Sequence, residues 1–366
     1  MTNIGIVGIG DISGIYLKNI TETFKELHIV AVCDLIRERA LKAQKDYGIE
    51  KVYDTMEELF ADDSITLVLN LTRPYEHFAV SKGALLAGKH VYSEKPLGAS
   101  LEEGRELVKI AEEKGLMLGG APDTFLGAGI QTCRRLIDDG VIGDVVGASA
   151  AMICHGHETW HHDPEFYYKY GGGPMMDMGP YYITALINLI GGIKKVTGVT
   201  KISFPQRLIT SQPHNGEIID VEVPTYITGV MQFENGAVGT ITTTFDVFRS
   251  RSHNIEIYGS KGTLFVPDPN CFDGDIEFYN GITGETEKYP LEFDYAENSR
   301  ALGLADIAKA IETGRKPRTS YKQTFHVLEV MEAFRQSSDE GKTVEIKSTF
   351  TREAPLDKNA AHGILD

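Results

Sequence analysis

Cysteine is scarce and scattered in this chain of 366 residues. Its cysteines include no C-x-x-C pair; they are Cys33, Cys133, Cys154 and Cys271. This spacing excludes a thiolate zinc site and a dense disulfide framework, and it is typical of proteins from a reducing compartment. We therefore expect a cytoplasmic protein.

Basic residues are also in deficit, since 36 Lys and Arg face 52 Asp and Glu, for a formal net charge of −16. Nucleic acids and anionic membranes bind clustered Lys and Arg, so neither is an expected partner. No apolar run reaches the roughly 18 residues that span a bilayer. The opening MTNIGIVGIG lacks the features of a signal peptide and predicts a strand. An acidic cytoplasmic enzyme of about two domains is the expected class.

The first third of the chain alternates short apolar runs with longer amphipathic segments. The apolar runs predict buried parallel strands at 3–9, 28–34, 65–72 and 90–96. The amphipathic segments predict helices at 37–48, 76–89 and 100–115. This alternation predicts an α/β fold that begins with a Rossmann doubly wound parallel sheet, over residues 1–122.

The pattern changes after residue 122. Three pairs of β-rich runs predict hairpins at 225–247, 253–267 and 276–290, and helical spacing returns at 301–313 and 322–338. Residues 123–366 therefore predict an α+β domain with a large open, mostly antiparallel sheet. One face of such a sheet needs cover, so we expect a homo-oligomer, a dimer or tetramer, that forms through this sheet.

Two glycines, Gly8 and Gly10, end the first predicted strand in GIVGIGDISG. A turn there lets the backbone approach a pyrophosphate, and Asp11 and Ile12 lead into a helix whose N–H groups favour an anion. The match to G-x-G-x-x-G is imperfect because Ser13 occupies the third glycine position, so a plain strand–helix turn is the alternative.

Asp34 strengthens the dinucleotide interpretation, because it ends the second predicted strand about 20 residues further on. A carboxylate there can hold the adenosine ribose and would repel a 2′-phosphate, which favours NAD over NADP. Arg37 and Arg39 lie close enough in sequence to leave NADP open.

Two further segments follow buried strands, where a doubly wound sheet binds its ligands. The first, NLTRPYEH, holds Thr72 and His77, and the second, EKP, holds Glu94 and Lys95. We predict that these four residues contact the cofactor. A lysine in that position is usually a solvated surface residue, but beside a nicotinamide it can carry out proton chemistry.

Several motifs together resemble the Gfo/Idh/MocA oxidoreductases, which include glucose–fructose oxidoreductase and inositol dehydrogenase. They are GIVGIG, the Thr72-to-His77 spacing, EKPLG, GGGPMMDMGPYY and GSKGTLFVP, and they extend over essentially the whole chain. The resemblance implies an NAD(P)-binding Rossmann domain, a C-terminal α/β domain, and hydride transfer to or from a carbohydrate or polyol carbon. It also implies that Lys95 contacts both the nicotinamide ribose and the substrate.

One position departs from that resemblance. Many relatives carry Asp-x-x-x-His after the glycines, with the histidine as acid/base, whereas here Asp177 is followed four residues later by Tyr181. Glucose–fructose oxidoreductase and the dihydrodiol dehydrogenases are similar in carrying tyrosine there. We predict Lys95, Tyr181 and Asp177 as catalytic residues. Helix N-capping by Asp177 and a core position for Tyr181 are the alternatives.

The stretch CHGHETWHHDPEFYYKYGGG holds four of the eleven histidines and the only tryptophan. It could form a zinc site or a surface loop without function, but it leads directly into the segment of Asp177. A carbohydrate site needs an aromatic platform with neutral donors and acceptors, so we predict a sugar-binding loop and no metal. The predicted substrate contacts, which include Lys95 and Tyr181, are completed by Asp123, His157, Trp160 and His162.

These predictions combine into an NAD(P)-dependent dehydrogenase of a sugar, cyclitol or glycoside, for which 3-oxidation of a glycoside is one variant. An alternative enzyme would keep NAD bound and cleave or isomerise glycosides by transient oxidation and elimination. A second alternative is a cofactor-binding regulator without turnover, and a metal hydrolase is the weakest. An imidazole of the histidine stretch, from His157 or His162, would be an acid/base that replaces the histidine missing at 181.

Overall fold

The computed structural model describes residues 1–366, and the chain forms two compact units. The first contains 1–128, 292–325 and 353–366, and the second contains 129–291 and 326–352. These ranges differ from the predicted division into 1–122 and 123–366, because two later segments return to the first unit. Sequence patterning identifies elements but does not reveal which unit a late helix joins.

The first unit contains a six-stranded, entirely parallel sheet in the order β3-β2-β1-β4-β5-β6, as in a Rossmann fold. Its strands are β1 (Thr2–Val7), β2 (Leu27–Cys33), β3 (Lys51–Tyr53), β4 (Leu67–Asn70), β5 (His90–Ser93) and β6 (Leu118–Gly120). Its helices are α1 (Ser13–Glu22), α2 (Arg37–Tyr47), α3 (Met56–Phe60), α4 (His77–Leu86) and α5 (Leu101–Lys114). The predicted doubly wound sheet is confirmed.

Local sequence explains the helix ends of this unit. Gly48 and Gly115 adopt left-handed backbone conformations, with φ of 66° and 64°, that close α2 and α5. Ser100 accepts the N–H of Glu103 at the start of α5, but the Glu103 carboxylate accepts the N–H of Ala99 instead of completing a capping box. A complete capping box begins α3, at Thr55.

The second unit is built on a nine-stranded sheet in the order β16-β15-β14-β13-β7-β12-β11-β8-β17. Its strands are β7 (Val145–Ile153), β8 (Ile193–Lys201), β11 (Tyr226–Phe233), β12 (Val238–Thr244), β13 (Ile255–Gly259), β14 (Gly262–Val266), β15 (Ile276–Asn280), β16 (Thr286–Tyr289) and β17 (Val344–Glu345). Only β7 and β12 pair in parallel, so the predicted mostly antiparallel sheet is confirmed. All three predicted hairpins are present as β11–β12, β13–β14 and β15–β16.

The remaining elements include a separate two-stranded ribbon and five helices. The ribbon pairs β9 (Gln206–Leu208) with β10 (Ile218–Asp220). The helices are α6 (Ala128–Asp138), α7 (Pro174–Asp177), α8 (Gly179–Leu189), α9 (Leu302–Thr313) and α10 (Tyr321–Glu340). Short 3₁₀ turns occupy Thr124–Leu126 and Glu165–Tyr168. No helix combines the length and the apolar content that crossing a bilayer demands.

The two faces of the large sheet differ in cover. On one face, Phe334 of α10 packs directly over Gly198 and Gly229, whose missing side chains allow the close approach. On the other face, valines stand in solvent: Val199 is 66% exposed and Val230 is 44% exposed. These β-branched side chains are therefore open to solvent on this face of the sheet.

Candidate active site

The turn after β1 is shaped for an anionic group. Gly8 has a φ of 95°, and a side chain there would meet the carbonyl carbon of Leu71 at 2.8 Å. At Gly10, by contrast, an added side chain would meet nothing within 4 Å, so the backbone faces open space. The first turn of α1 has no side-chain cap and no acidic residue, which suits a pyrophosphate. The predicted contacts Asp11 and Ile12 lie in this turn, exposed and half-buried.

Asp34 is held firmly at the carboxyl end of β2. Its Oδ2 accepts the N–H of Ile9 at 2.6 Å, and its Oδ1 accepts the N–H of Ile36 at 2.7 Å. The carboxylate therefore lies beside the glycine turn, where a ribose hydroxyl is expected. Arg37 forms an ion pair with Asp54.

The loop after β4 is organised by Asn70, which is fully buried. Its Oδ1 accepts the hydroxyl of Thr72 at 2.6 Å, and its Nδ2 donates to the carbonyl of His77 at 3.0 Å. Sequence reasoning did not assign Asn70 a role, although a polar residue at the end of a buried strand is the signal that identifies it.

His77 connects two loops of the first unit. Its Nδ1 lies 2.7 Å from the carbonyl oxygen of Pro96, and its Nε2 lies 2.9 Å from that of Thr72. Burial lowers the pKa of His77, because it penalises the charged imidazolium. The ring therefore fixes the loop after β4 against the segment that carries Lys95.

Glu94 fixes the backbone next to Lys95. Its Oε1 accepts the hydroxyl of Tyr16 at 2.7 Å, and its Oε2 accepts the N–H of Lys95 at 3.0 Å. Burial, and then the charge of Glu94, raise the pKa of Tyr16, so the phenol stays a neutral donor. Lys95 is half-buried at this sheet edge.

Asp123 precedes the 3₁₀ turn Thr124–Leu126 in the first unit, and its side chain contacts the start of α9. It is 1% exposed, and its Oδ2 accepts the N–H groups of Ala301 and Gly303, each at 3.0 Å. Burial raises the pKa of Asp123 to about 6, against the opposing effect of the Gly303 hydrogen bond. The structure thus gives Asp123 a capping role for α9 that sequence reasoning did not foresee, while its substrate contact stays a prediction.

Asp177 and Tyr181 lie in two successive helices. Asp177 ends the short helix α7, Met178 breaks the helix, and Tyr181 lies in α8, which begins at Gly179. The two residues therefore do not share one continuous helix face, since Gly179 and Pro180 restart the helix. Met178 is the N-cap residue of α8 and forms no side-chain cap, and Asp177 lies one residue before it. Tyr181 is 8% exposed.

His157 lies beside Asp177. Its Nε2 is 3.6 Å from Oδ2 of Asp177, and the two side chains are 11% and 16% exposed. The imidazole stacks on Tyr167 with ring centroids 3.9 Å apart, and it meets Phe245 edge-on at 4.7 Å. The structure therefore brings together two of the predicted site residues from segments twenty residues apart.

Trp160 and His162 occupy the exposed part of the same stretch. Trp160 is 65% exposed, and its ring lies 5.2 Å from that of His157. His162 stacks on His161 at 4.7 Å. Flat aromatic surfaces that reach solvent beside hydrogen-bonding imidazoles are the groups that bind a polyhydroxy ring.

A buried charge cluster beneath this stretch was missed by sequence reasoning. Arg207 of β9 donates from Nη1 to Glu158 at 3.0 Å and from Nη2 to Asp246, and all three side chains are 6% exposed or less. Tyr168 donates its hydroxyl to Glu158, and burial raises the pKa of Tyr168. Arg207 lies in no motif, so only tertiary structure reveals it.

The first unit thus defines a class of protein. A Rossmann sheet with an open glycine turn, a fixed acidic residue after β2 and a lysine after β5 is the arrangement of a dinucleotide-dependent oxidoreductase. The residues present fit NAD(P), because the space beside Gly10 and the uncapped start of α1 accommodate its phosphates.

The family follows from comparison with known proteins. Residues 2–120 match the model of an oxidoreductase family with an NAD-binding Rossmann fold, and residues 130–265 match that of the GFO/IDH/MocA C-terminal domain. The chain belongs to the GFO/IDH/MocA family and is an NAD(P)-binding oxidoreductase.

Similar curated proteins are dehydrogenases. The trans-1,2-dihydrobenzene-1,2-diol dehydrogenase of Bos taurus is 26% identical, over 84% of this chain and 86% of the relative. The scyllo-inositol 2-dehydrogenase (NADP(+)) IolW of Bacillus subtilis is 23% identical, over 94% of this chain and 96% of the relative. Among solved structures, levoglucosan dehydrogenase in complex with NADH and L-sorbose has a TM-score of 0.80 at 20% identity, covering 95% of this chain and 99% of the other.

Proposed function

We propose that this protein is an NAD-dependent dehydrogenase that oxidises a secondary alcohol of a sugar, cyclitol or glycoside, in a reversible reaction. The observation that carries the proposal is the family's Rossmann unit with Lys95 fixed beside Glu94 at the sheet edge. The relatives named above act, by their names, on polyhydroxy or diol substrates, which supports this substrate class.

The first unit is proposed to hold the cofactor. Gly8, Gly10, Asp11 and Ile12 would bind the pyrophosphate, and Asp34 the adenosine ribose. The remaining cofactor contacts follow β4 and β5; they are Thr72, His77, Glu94 and Lys95. When bound, the nicotinamide supplies the hydride acceptor.

The substrate contacts are proposed from side chains that present polar and aromatic groups. Lys95 takes or relays the hydroxyl proton, and Asp177 and Tyr181 orient the hydroxyl. Trp160 supplies a stacking surface, and His157 and His162 supply hydrogen bonds. Asp123 would contact the substrate through its carboxylate, which also accepts the N–H of Ala301 at the start of α9.

The choice of NAD over NADP rests on Asp34. Its carboxylate beside Ile9 would repel a 2′-phosphate, and Arg37 is already engaged by Asp54. NADP appears in the name of one relative, so the preference is a proposal for this chain and not a property of the family.

A homo-oligomer, dimer or tetramer, is proposed through the uncovered face of the nine-stranded sheet. Val199, Val230 and Val238 are 66%, 44% and 49% exposed on adjacent strands of that face. A second copy would bury these valines. Light scattering of wild type against Val230→Lys tests this, since a charge there should produce monomers.

A cytoplasmic location is proposed from the thiols. The four cysteines form no disulfide in the structure, which suits a reducing compartment.

A substrate screen tests the main proposal. Sugars, inositols and aryl glycosides are incubated with NAD and, separately, with NADP, while NADH absorbance and keto products are followed together. The proposal expects one NADH for each keto product. Release of an aglycone without net NADH would favour elimination instead, and no turnover with any substrate would contradict the proposal.

A further inference from the structure

The second unit places an imidazole beside Asp177, although position 181 holds a tyrosine. The imidazole belongs to His157, which precedes Asp177 in the chain. Its Nε2 lies 3.6 Å from Oδ2 of Asp177. His157 follows β7, and Asp177 ends α7. The two residues therefore belong to different elements, and no helical or strand periodicity predicts that they meet.

The imidazole has one well-defined orientation. Its ring is parallel to that of Tyr167 within 16°, at 3.9 Å, while Phe245 closes a second side edge-on at 4.7 Å. Trp160 lies 5.2 Å away on the exposed side. Packing on these sides leaves the Nε2 edge directed toward the carboxylate of Asp177.

The backbone of His157 is held as firmly as its ring. The hydroxyl of Tyr168 lies 3.3 Å from the N–H of His157, and the carbonyl of Glu158 accepts the N–H of Thr210 at 2.9 Å. The Glu158 side chain is tied to Arg207. The buried charge cluster is therefore the support that positions His157.

The separation of His157 and Asp177 suits a shared substrate hydroxyl. At 3.6 Å the two atoms are too far apart to saturate each other as donor and acceptor. One hydroxyl oxygen can nevertheless lie within hydrogen-bond distance of both. The carboxylate favours the imidazolium that forms when the ring accepts a proton.

We propose that His157 is the acid/base residue of the dehydrogenase and that Asp177 orients it. This role rests on the proposed function. In the oxidation, the hydroxyl O–H bond breaks and its proton goes to Nε2 of His157. The O–H electron pair would form the second bond of the carbonyl, and the C–H bond would give its hydride to the nicotinamide that the first unit is proposed to hold.

The charged and titratable groups around His157 determine how its activity depends on pH. Asp177 and Tyr167 contact the ring, and Tyr168, Glu158 and the Arg207 bound to Glu158 surround its backbone. The carboxylate of Asp177 lies 3.6 Å from Nε2. Its removal should shift the acidic limb of the rate profile to lower pH.

The test compares kcat and kcat/KM for NADH formation between pH 5 and 10, with the best substrate of the screen. His157→Gln should lower kcat by about 100-fold or more and flatten the acidic limb. His157→Ala should regain part of its turnover when imidazole is added. Asp177→Asn should keep an acidic limb at lower pH. His214→Gln is the matched control, because His214 pairs with Glu217 at 3.0 Å on the surface, and it should behave as wild type.

Results other than these contradict the proposed acid/base role of His157. Wild-type kcat and an unchanged profile in His157→Gln would overturn it, and so would a loss without any change of profile and without rescue by imidazole. Loss of the acidic limb in Tyr181→Phe alone would assign the role to Tyr181. If His157→Gln does not fold, the Asp177→Asn profile decides, since an unshifted limb would exclude an imidazole beside that carboxylate. A wild-type protein inactive on every substrate would instead contradict the proposed function itself.

Discussion

In the first unit, the residues proposed to hold the dinucleotide are presented by backbone geometry over short stretches of sequence. Gly8 and Gly10 form one turn, and Asp34 is anchored by the N–H groups of Ile9 and Ile36. In the second unit, the proposed substrate residues are side chains that meet from distant segments, as His157 and Asp177 do. If these proposals hold, local motifs bind the common cofactor, whereas specificity depends on tertiary packing.

The buried charge cluster is where the second unit should be most vulnerable. Arg207→Met leaves the carboxylates of Glu158 and Asp246 without their cation, so the free energy of unfolding should fall by about 3–5 kcal/mol. Urea denaturation measures the loss. Arg335→Met, which removes an exposed ion pair with Glu332, is the control and should cost about 1 kcal/mol or less. Equal losses in the two variants would show that the cluster is not a support of the site.

Lys95 tests the contribution of the first unit to the chemistry. Lys95→Ala should reduce turnover by about 100-fold or more, because the residue proposed to relay the hydroxyl proton is lost. Steady-state NADH formation measures this, with Lys82→Ala as control, since Lys82 pairs with Glu106 and lies over the ring of Phe78, away from the residues proposed for the site. Turnover near that of wild type would remove Lys95 from the mechanism.

Asp123 makes the first unit sensitive to pH. Its pKa is raised to about 6, whereas an unfolded carboxyl ionises near pH 4, so the folded state binds more protons between these values. The stability that protonated Asp123 contributes is lost as pH rises through 6. The unfolding free energy of wild type minus that of Asp123→Asn should therefore fall by roughly 2–3 kcal/mol from pH 4 to 7. Urea titrations at each pH measure the difference, and a difference that rises with pH would contradict the assignment.

Asp34 tests the smallest of these effects, the choice of cofactor. Asp34→Ser should lower kcat/KM with NAD by about tenfold, because a charge-assisted ribose hydrogen bond is lost. It should raise kcat/KM with NADP, because the repulsion is removed. Asp46→Ser, at an exposed ion pair with Lys42, is the matched control. An unchanged ratio of the two cofactors would place the ribose elsewhere.

Much of the fold could be predicted because its strands are apolar runs of sufficient length. The strands β3 and β6 were not predicted. Each has three residues, which is too short for an alternating pattern to be recognised. The helix break at Met178 could not be located from the sequence, since the four-residue spacing of Asp177 and Tyr181 also fits one continuous helix. The return of 292–325 and 353–366 to the first unit depends on long-range packing, which local pattern does not encode.

The candidate site likewise contains residues that local sequence predicts and residues that only long-range packing brings together. The glycine turn, Asp34 and Lys95 could be assigned from motifs, because their positions follow from strand ends. The pairing of His157 with Asp177 and its support by Arg207 could not, because residues far apart in sequence form them. The histidines of residues 154–173 marked this stretch as a candidate site. Composition alone did not show which of the imidazoles lies beside a carboxylate.

The most direct test of the account is the stoichiometry of oxidation by the wild-type protein. With NAD and the best polyhydroxy substrate, NADH and keto product are measured in one reaction, together with any released aglycone. The account predicts equal amounts of NADH and keto product and no released aglycone. Product formation without NADH would contradict it.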